Sequence, residues 1–223
     1  IYTAHPTYGP RLPDGSGRYV SRAYPYESSN QNPIAFSDLG GTTIDNYHAS
    51  GTAYLKLNIL DGLTGEVRGA GRWSMMNDLS QSASIPVYYY KHYADGTYGA
   101  AQNFGGNNHS ITRKDENSTK YTLYATLTYD KTFAQMHHLT VLGGYNQENF
   151  KFWTLNGYRY QFINLDMTDL DAGNSNGQTT GGKTEEWAIQ SLFGRVNYAL
   201  KDRYLFEASV RYDGSSRLKK ENR

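Results

Sequence analysis

The sequence predicts an all-β protein: an antiparallel transmembrane β-barrel fragment of about six strands in three hairpins. Three observations predict it. Apolar and polar residues alternate with period 2 over several stretches after residue 45. Tight-turn signals join those stretches in pairs. The connections alternate short and long, as in membrane barrels with short turns on one rim and long extracellular loops on the other.

Residues 1–45 hold Pro6, Pro10, Pro13, Pro25 and Pro33 among Gly, Ser and Asn, and read as an irregular extracellular loop region. Residues 46–223 read as barrel. From Tyr47 the odd positions run Tyr47, Ala49, Gly51, Ala53, Leu55, Leu57, Ile59, against His48, Ser50, Thr52, Tyr54, Lys56 and Asn58. Asp61-Gly62 marks a turn. The return strand sets Leu63, Gly65, Val67, Gly69, Gly71, Trp73 and Met75 against Thr64, Glu66, Arg68, Arg72 and Ser74. A polar connection is expected from Ser80 to about Asn117.

The second hairpin sets Tyr121, Leu123, Ala125, Leu127 and Tyr129 on one face. A turn at Ala134–His137 leads to Leu139, Val141, Gly143 and Tyr145. A second long connection is expected from about Glu148 to Glu186. The third hairpin carries Leu192, Gly194, Val196 and Tyr198, a turn at Lys201-Asp202, then Tyr204, Phe206, Ala208, Val210 and Tyr212.

Aromatics mark both ends of the apolar face. Tyr129, Tyr198 and Tyr204 lie near short turns; Trp73, Tyr121, Tyr145 and Tyr212 lie near long connections, as two interfacial girdles would. The opposite face carries Lys56, Glu66, Arg68, Arg72, Asp130, Arg195, Glu207 and Arg211, which suit a wet lumen or a protein plug. Mid-bilayer Arg or Lys on the lipid side costs roughly 2–4 kcal/mol. Open edges in hydrocarbon leave unpaired backbone groups, so the strands are expected to continue into a larger closed barrel. The chain opens at Ile1 with no signal peptide, and the reading is of an internal fragment lacking a plug domain.

Composition narrows the function. The 223 residues carry 22 Lys+Arg against 21 Asp+Glu, for a net charge of +1, which excludes a strongly basic nucleic-acid binder read from bulk charge. With no Cys there is no disulfide, zinc-thiolate or thiol nucleophile. No apolar run approaches the ~18 residues of a membrane helix, a test to which barrels are blind. The 21 Tyr are the anomaly, since amphipathic rings suit interfaces and carbohydrate contact.

The stretch Phe193-Gly194-Arg195-Val196-Asn197-Tyr198-Ala199-Leu200-Lys201-Asp202-Arg203-Tyr204, continuing through Asp213-Gly214-Ser215-Ser216-Arg217, resembles the barrel of the SusC/RagA family, TonB-dependent outer-membrane transporters of Bacteroidetes. Lys220-Glu221-Asn222-Arg223 is similar to that family too. So, less specifically, are Lys131-Thr132-Phe133 with His138-Leu139 to Gly144-Tyr145, and Asn32-Pro33-Ile34-Ala35. The resemblance implies a cell outer-membrane, multi-pass barrel and import of oligosaccharides or peptides. It implies as partners TonB, through a segment outside this chain, a SusD-like lipoprotein and the outer-membrane lipid, with no nucleic acid. It also implies no enzymatic step and no cofactor. An alternative of another class is a surface β-sheet adhesin or lectin that binds glycans through Tyr-rich loops.

Tyr88, Tyr89, Tyr90, Tyr93, Tyr98 and Phe104 crowd a polar segment and are the candidate substrate-binding residues. The competing reading is that these rings pack the loop. Trp153, Tyr158 and Tyr160 carry a weaker version of the same idea. Gly177-Gln178-Thr179-Thr180-Gly181-Gly182-Lys183-Thr184 matches the phosphate-loop pattern letter by letter, but no buried strand precedes it, so a solvated loop is expected. Asp166, Asp169 and Asp171 lack the further ligands of a calcium loop, and His137-His138 has no evident metal partners. Asn108-His109-Ser110 and Asn117-Ser118-Thr119 are glycosylation triplets, which matter only on a eukaryotic secretory route. No metal site and no catalytic residue is assigned.

Overall fold

The structure is a computed structural model that describes residues 9–21, 32–92, 94–101 and 103–218, with the side chains of 90–92 outside that description. Tyr93 and the Lys220–Arg223 stretch lie outside the described residues. Nine strands are described: β1 (Tyr19–Val20), β2 (Thr42–Leu60), β3 (Leu63–Ser82), β4 (Val87–His92), β5 (Tyr98–Ala100), β6 (His109–Phe133), β7 (His137–Phe162), β8 (Asn174–Leu200) and β9 (Tyr204–Ser215). The short helix α1 spans Pro33–Ser37. A six-stranded sheet has the order β2-β3-β6-β7-β8-β9, and a three-stranded one the order β1-β4-β5.

The large sheet is an open wall of three hairpins, the expected barrel fragment. Its three short turns have legible causes. In two of them the Phe133 and Leu200 carbonyls accept from the Met136 and Arg203 amides at 3.1 and 3.0 Å. The central residues take positive φ: Ala134 48° and Gln135 55°, Lys201 50° and Asp202 52°. These are mirror-image turns whose twist matches that of the strands. At Asp61-Gly62 the glycine takes φ +77°, and an added Cβ would lie 2.6 Å from the Asp130 carbonyl oxygen. That closeness lets the Asp130 amide donate to the Gly62 carbonyl at 2.7 Å.

The strands outrun their apolar patterns. β6, β7 and β8 have 25, 26 and 27 residues, against roughly 9–11 for a tilted membrane-spanning strand. The connections expected over 80–117 and 148–186 are corrected accordingly. β3 continues to Ser82, β6 starts at His109, β7 runs to Phe162 and β8 starts at Asn174. The physical reason is that period 2 in hydropathy requires one wet face and one apolar face. Where that division of faces lapses, as over the polar start of β8 or the aromatic-rich stretch of β7 beyond Glu148, the backbone ladder persists without the signal.

The chain divides into two compact units. The first comprises Ile1–Asp45, Asn77–Asp115 and Leu155–Gly182. Every buried apolar side chain among the described residues falls in it: Leu12, Val20, Ala35, Ala83, Ile85, Val87, Ile111 and Phe162. Tyr19, Leu39, Ala101, Phe104 and Leu165 pack against the cluster of Ala35, Ala83, Ile85 and Val87. Asn32 caps α1 and is fully buried. Its Oδ1 accepts from the Ile34 and Ala35 amides at 3.1 and 3.2 Å, and its Nδ2 donates to the Pro10 and Val20 carbonyls at 2.6 and 2.9 Å. All four of the amide's hydrogen-bonding valences are used. Gly105, at φ +76°, passes so close to Ala83 that a Cβ would sit 1.8 Å from its carbonyl oxygen.

The second unit comprises Asn46–Met76, Glu116–Thr154 and Lys183–Arg223. It buries Ser191 and, among the described residues, no apolar side chain. β8 and β9 pair in the register Leu192↔Tyr212, Gly194↔Val210, Val196↔Ala208, Tyr198↔Phe206, so the expected apolar face is one face. Ile59, Gly65 and Leu127 likewise meet on one side, since a Cβ at Gly65 would lie 3.2 Å from Ile59 Cδ1 and 3.9 Å from Leu127 Cδ1.

Candidate functional site

The candidate tyrosines belong to the small sheet. β1 runs parallel to β4, with Tyr19 beside Val87 and Val20 beside Tyr88. The Ser21 amide donates to the Tyr88 carbonyl at 2.8 Å. The Arg18 guanidinium covers the Tyr88 ring at 4.6 Å from its centroid. Tyr98 opens β5 and is half-buried. Phe104 exchanges backbone hydrogen bonds with Ile85 at 2.9 and 3.0 Å and packs on the apolar cluster. Tyr89 presents its ring outward at 54% exposure. Tyr90 lies on β4. The alternation along β4 thus separates Tyr88, engaged by Arg18, from Tyr89. The hydroxyl of Tyr19 donates to the Asp38 carboxylate, and Arg11 covers the Tyr19 ring at 4.4 Å. Donation to Asp38 and burial raise the Tyr19 phenol above its ordinary range, with Arg11 opposing. Tyr158 and Tyr160 stack with centroids 6.4 Å apart.

The polar face of the second unit is built from aromatic–cation pairs. Phe193 stacks on Tyr124 at 5.5 Å, and its ring lies over Gly144, where a Cβ would meet it at 2.2 Å. Arg211, opposite Phe193 in the β8–β9 register, lies 5.9 Å from that ring. Arg211 also donates to Asp213 at 2.8 Å and to Ser191 Oγ at 3.0 Å. Further along β8, Trp187 stacks on Phe150 at 5.5 Å and carries Arg217 at 5.0 Å and Lys120 at 5.8 Å. Lys120 pairs with Glu148 at 3.0 Å. Arg68 pairs with Glu66 at 2.8 Å and lies 5.9 Å from the Tyr54 ring. Arg72 and Arg195 have no ion pair among the described residues. The arrangement offers rings, guanidinium edges and neutralised charge to whatever fills this side, and no nucleophile–base pair.

The sequence singled out Arg211 and Arg68 but passed over Trp187, Phe150, Lys120 and Arg217. The signal was present: counting back from Phe193 in twos through Ser191 and Ile189 reaches Trp187 on the same face.

The remaining motifs do not converge. The phosphate-loop match at 177–184 lies inside β8, extended on both sides, which corrects the expected loop. No helix follows it to gather amides on a phosphate. Asp171 pairs with Arg159 at 3.1 Å. His137 and His138 diverge, one to the Tyr198 hydroxyl at 2.7 Å and the other to Asp130 at 3.1 Å. Among the described residues no three His, Cys, Asp or Glu side chains gather into a metal-holding group.

No protein-family model matches the chain. By sequence it is 26% identical, over 213 residues and 93% of its length, to TonB-dependent receptor P39 of Formosa agariphila. It is 28% identical over 159 residues, 68% of its length, to TonB-dependent receptor SusC of Bacteroides thetaiotaomicron. It spans 18% and 15% of those two relatives. By fold it is similar to the RagAB peptide importer in its "closed-closed" state, with TM-score 0.75, 18% identity, 93% of this chain and 22% of that one. The class these observations define is that of the TonB-dependent receptor barrels. Within it, the chain is similar to a barrel segment of the SusC and RagAB proteins.

Proposed function

We propose that this chain supplies wall strands and surface loops to an outer-membrane, TonB-dependent importer of oligosaccharides or peptides, and makes or breaks no bond in its cargo. The observation that carries the reading is the burial pattern of the second unit. Leu55, Leu57, Ile59, Leu127, Leu192, Phe206 and Val210 are exposed on a sheet that holds no buried apolar side chain among its described residues. In water so large an apolar patch favours association; against lipid it needs no partner. Tyr204 to Tyr212 spans about nine residues between two rings, the length a tilted membrane strand requires. On the opposite face Arg211, Arg68 and Lys120 stand in ion pairs, as groups lining a wet lumen or meeting a plug would. The named relatives, TonB-dependent receptors and a peptide importer, support the same activity.

A SusD-like lipoprotein partner and TonB complete the proposed machine. Residues 1–45 serve as an extracellular loop region and 46–223 as barrel. Among the candidate rings whose side chains are described, Tyr89 is the best placed to meet cargo, because its ring is presented outward. The test uses the full-length gene product in its native host. Expected are recovery in the outer-membrane fraction, resistance to carbonate extraction, and loss of growth on one oligosaccharide or peptide source when either this gene or TonB is deleted. Recovery as a soluble secreted protein would overturn the reading and favour the glycan-binding adhesin.

A further inference from the structure

A groove of about 490 Å³ opens where Thr119, Tyr121, Asn149, Lys151, Glu186 and Ser216 come together in the second unit. Its polar side chains belong to the apolar face. Tyr121 shares the parity of Leu123 and Leu127 on β6, and Glu186 that of Leu192 on β8. A hydrogen-bond run continues along β7 from the girdle outward. The Tyr145 hydroxyl donates to Gln147 at 2.8 Å, Gln147 to Asn149 at 3.0 Å, and Asn149 to the Tyr121 hydroxyl at 2.7 Å. Lys151 pairs with Glu186 at 2.7 Å. The groove, whose lining Phe150, Trp187 and Ala188 complete, therefore begins where the apolar band ends.

Its chemistry is specific. A carboxylate, an ammonium, a carboxamide and hydroxyls stand together with no net charge. That set can donate to and accept from neighbouring sugar hydroxyls, whereas a bare phosphate would meet Glu186. The volume lies in the ordinary range of ligand sites. The adjoining Leu123, Leu192 and Tyr212 are exposed and continue the surface into the band. We propose that this groove holds the saccharide headgroup of an outer-leaflet glycolipid, with the acyl chains lying on the band below it. The inference rests on the reading that this face meets lipid.

The test uses the full-length receptor purified in a zwitterionic detergent free of sugar. Native mass spectrometry follows adducts with diglucosyl diacylglycerol, phosphatidylethanolamine and free maltose, each added separately. Expected is retention of the diglucosyl lipid about tenfold above phosphatidylethanolamine, falling about tenfold in Glu186→Gln and in Tyr121→Phe, each of which removes one charge-assisted or neutral hydrogen bond. Tyr121→Phe keeps the ring and stands in should Glu186→Gln fail to give the folded, heat-modifiable form. Equal retention of the two lipids, or diglucosyl lipid binding unchanged in both variants, overturns the headgroup site alone. Maltose binding that Tyr121→Phe weakens overturns it in favour of a soluble-sugar site. Retention of neither lipid overturns both the site and the lipid-facing reading.

Discussion

Ile85, Val87 and Ile111 in the first unit are buried to 8% exposure or less, whereas Leu55, Leu57, Leu127 and Val210 in the second stand 48% exposed or more. The residue types are the same and the treatment is opposite. The first unit gathers part of its apolar groups into a core, leaving Phe36, Leu155 and Ile163 exposed, and satisfies the fully buried Asn32 amide with four hydrogen bonds. The second displays them on one face and spends its other face on ion pairs and stacked rings. Two solvents explain the difference: a unit in water must fold its apolar surface inward, and a wall in lipid has no reason to.

The largest expected effect tests whether the first unit is a self-stabilised core. Gly105→Ala drives a methyl into the Ala83 carbonyl from a backbone at φ +76°. It should remove about 4 kcal/mol of local stability, the range of severe core disruption. Hydrogen exchange of the Ile85 and Phe104 amides in the full-length protein reads it. Amides of the β8–β9 ladder should keep their protection. Loss of both together would mean that the two units unfold as one, which breaks the comparison.

The second prediction turns the same logic on the wall. Leu127→Arg should destabilise the bilayer-inserted protein by about 2–4 kcal/mol, and Thr126→Arg, on the other face, by less than about 1 kcal/mol. Denaturant unfolding from liposomes distinguishes them. Equal costs would remove the claim that one face is lipid-facing. Next in size, Asn32→Ala leaves the Ile34 and Ala35 amides and two carbonyls without their partner, and should cost about 2–3 kcal/mol, read by proteolysis at α1. Gly144→Ala forces the Phe193 ring off its seat and off Tyr124. A ring can turn where a backbone cannot, so the expected loss is about 1 kcal/mol, seen as altered near-ultraviolet dichroism with barrel formation intact.

The same contrast governs what was legible beforehand. In the band, two different solvents write two different faces, and the β8–β9 register follows from the alternation alone. Beyond it the face that carries the apolar band turns polar, with Lys151 meeting Glu186 and Arg159 meeting Gln178, while Phe150 and Trp187 stack on the opposite face. Alternation disappears there, so β7 and β8 were cut short at Glu148 and Glu186. The small sheet left even less trace, because two-residue β1 pairs in parallel with β4 across 68 positions of chain. Aromatic enrichment located Tyr88 and Tyr89, but which ring is covered depends on Arg18, a residue that only tertiary structure brings near.

The smallest prediction concerns the rim of the first unit. The Asp14 carboxylate is held down to about 2 by hydrogen bonds, first from the Ser16 hydroxyl, then from its amide and from Arg18. Arg18 in turn covers Tyr88, and its carbonyl accepts from the Leu12 amide at 2.9 Å. The folded value lies below the ordinary 3.8, so this anchoring is fully present above pH ~4 and is lost as pH falls through about 2. Exchange at the Leu12 amide should therefore show a step in protection between pH ~4 and ~2, after correction for intrinsic rates. Asp14→Asn should flatten the step. The Ile85–Phe104 backbone pair, in which no carboxylate takes part, should show no matching step. A Leu12 profile equally steep in Asp14→Asn would mean that the turn is held by the Leu12–Arg18 backbone bond rather than by charge. The first unit would then owe its order to the buried core alone, which makes its contrast with the coreless wall sharper still.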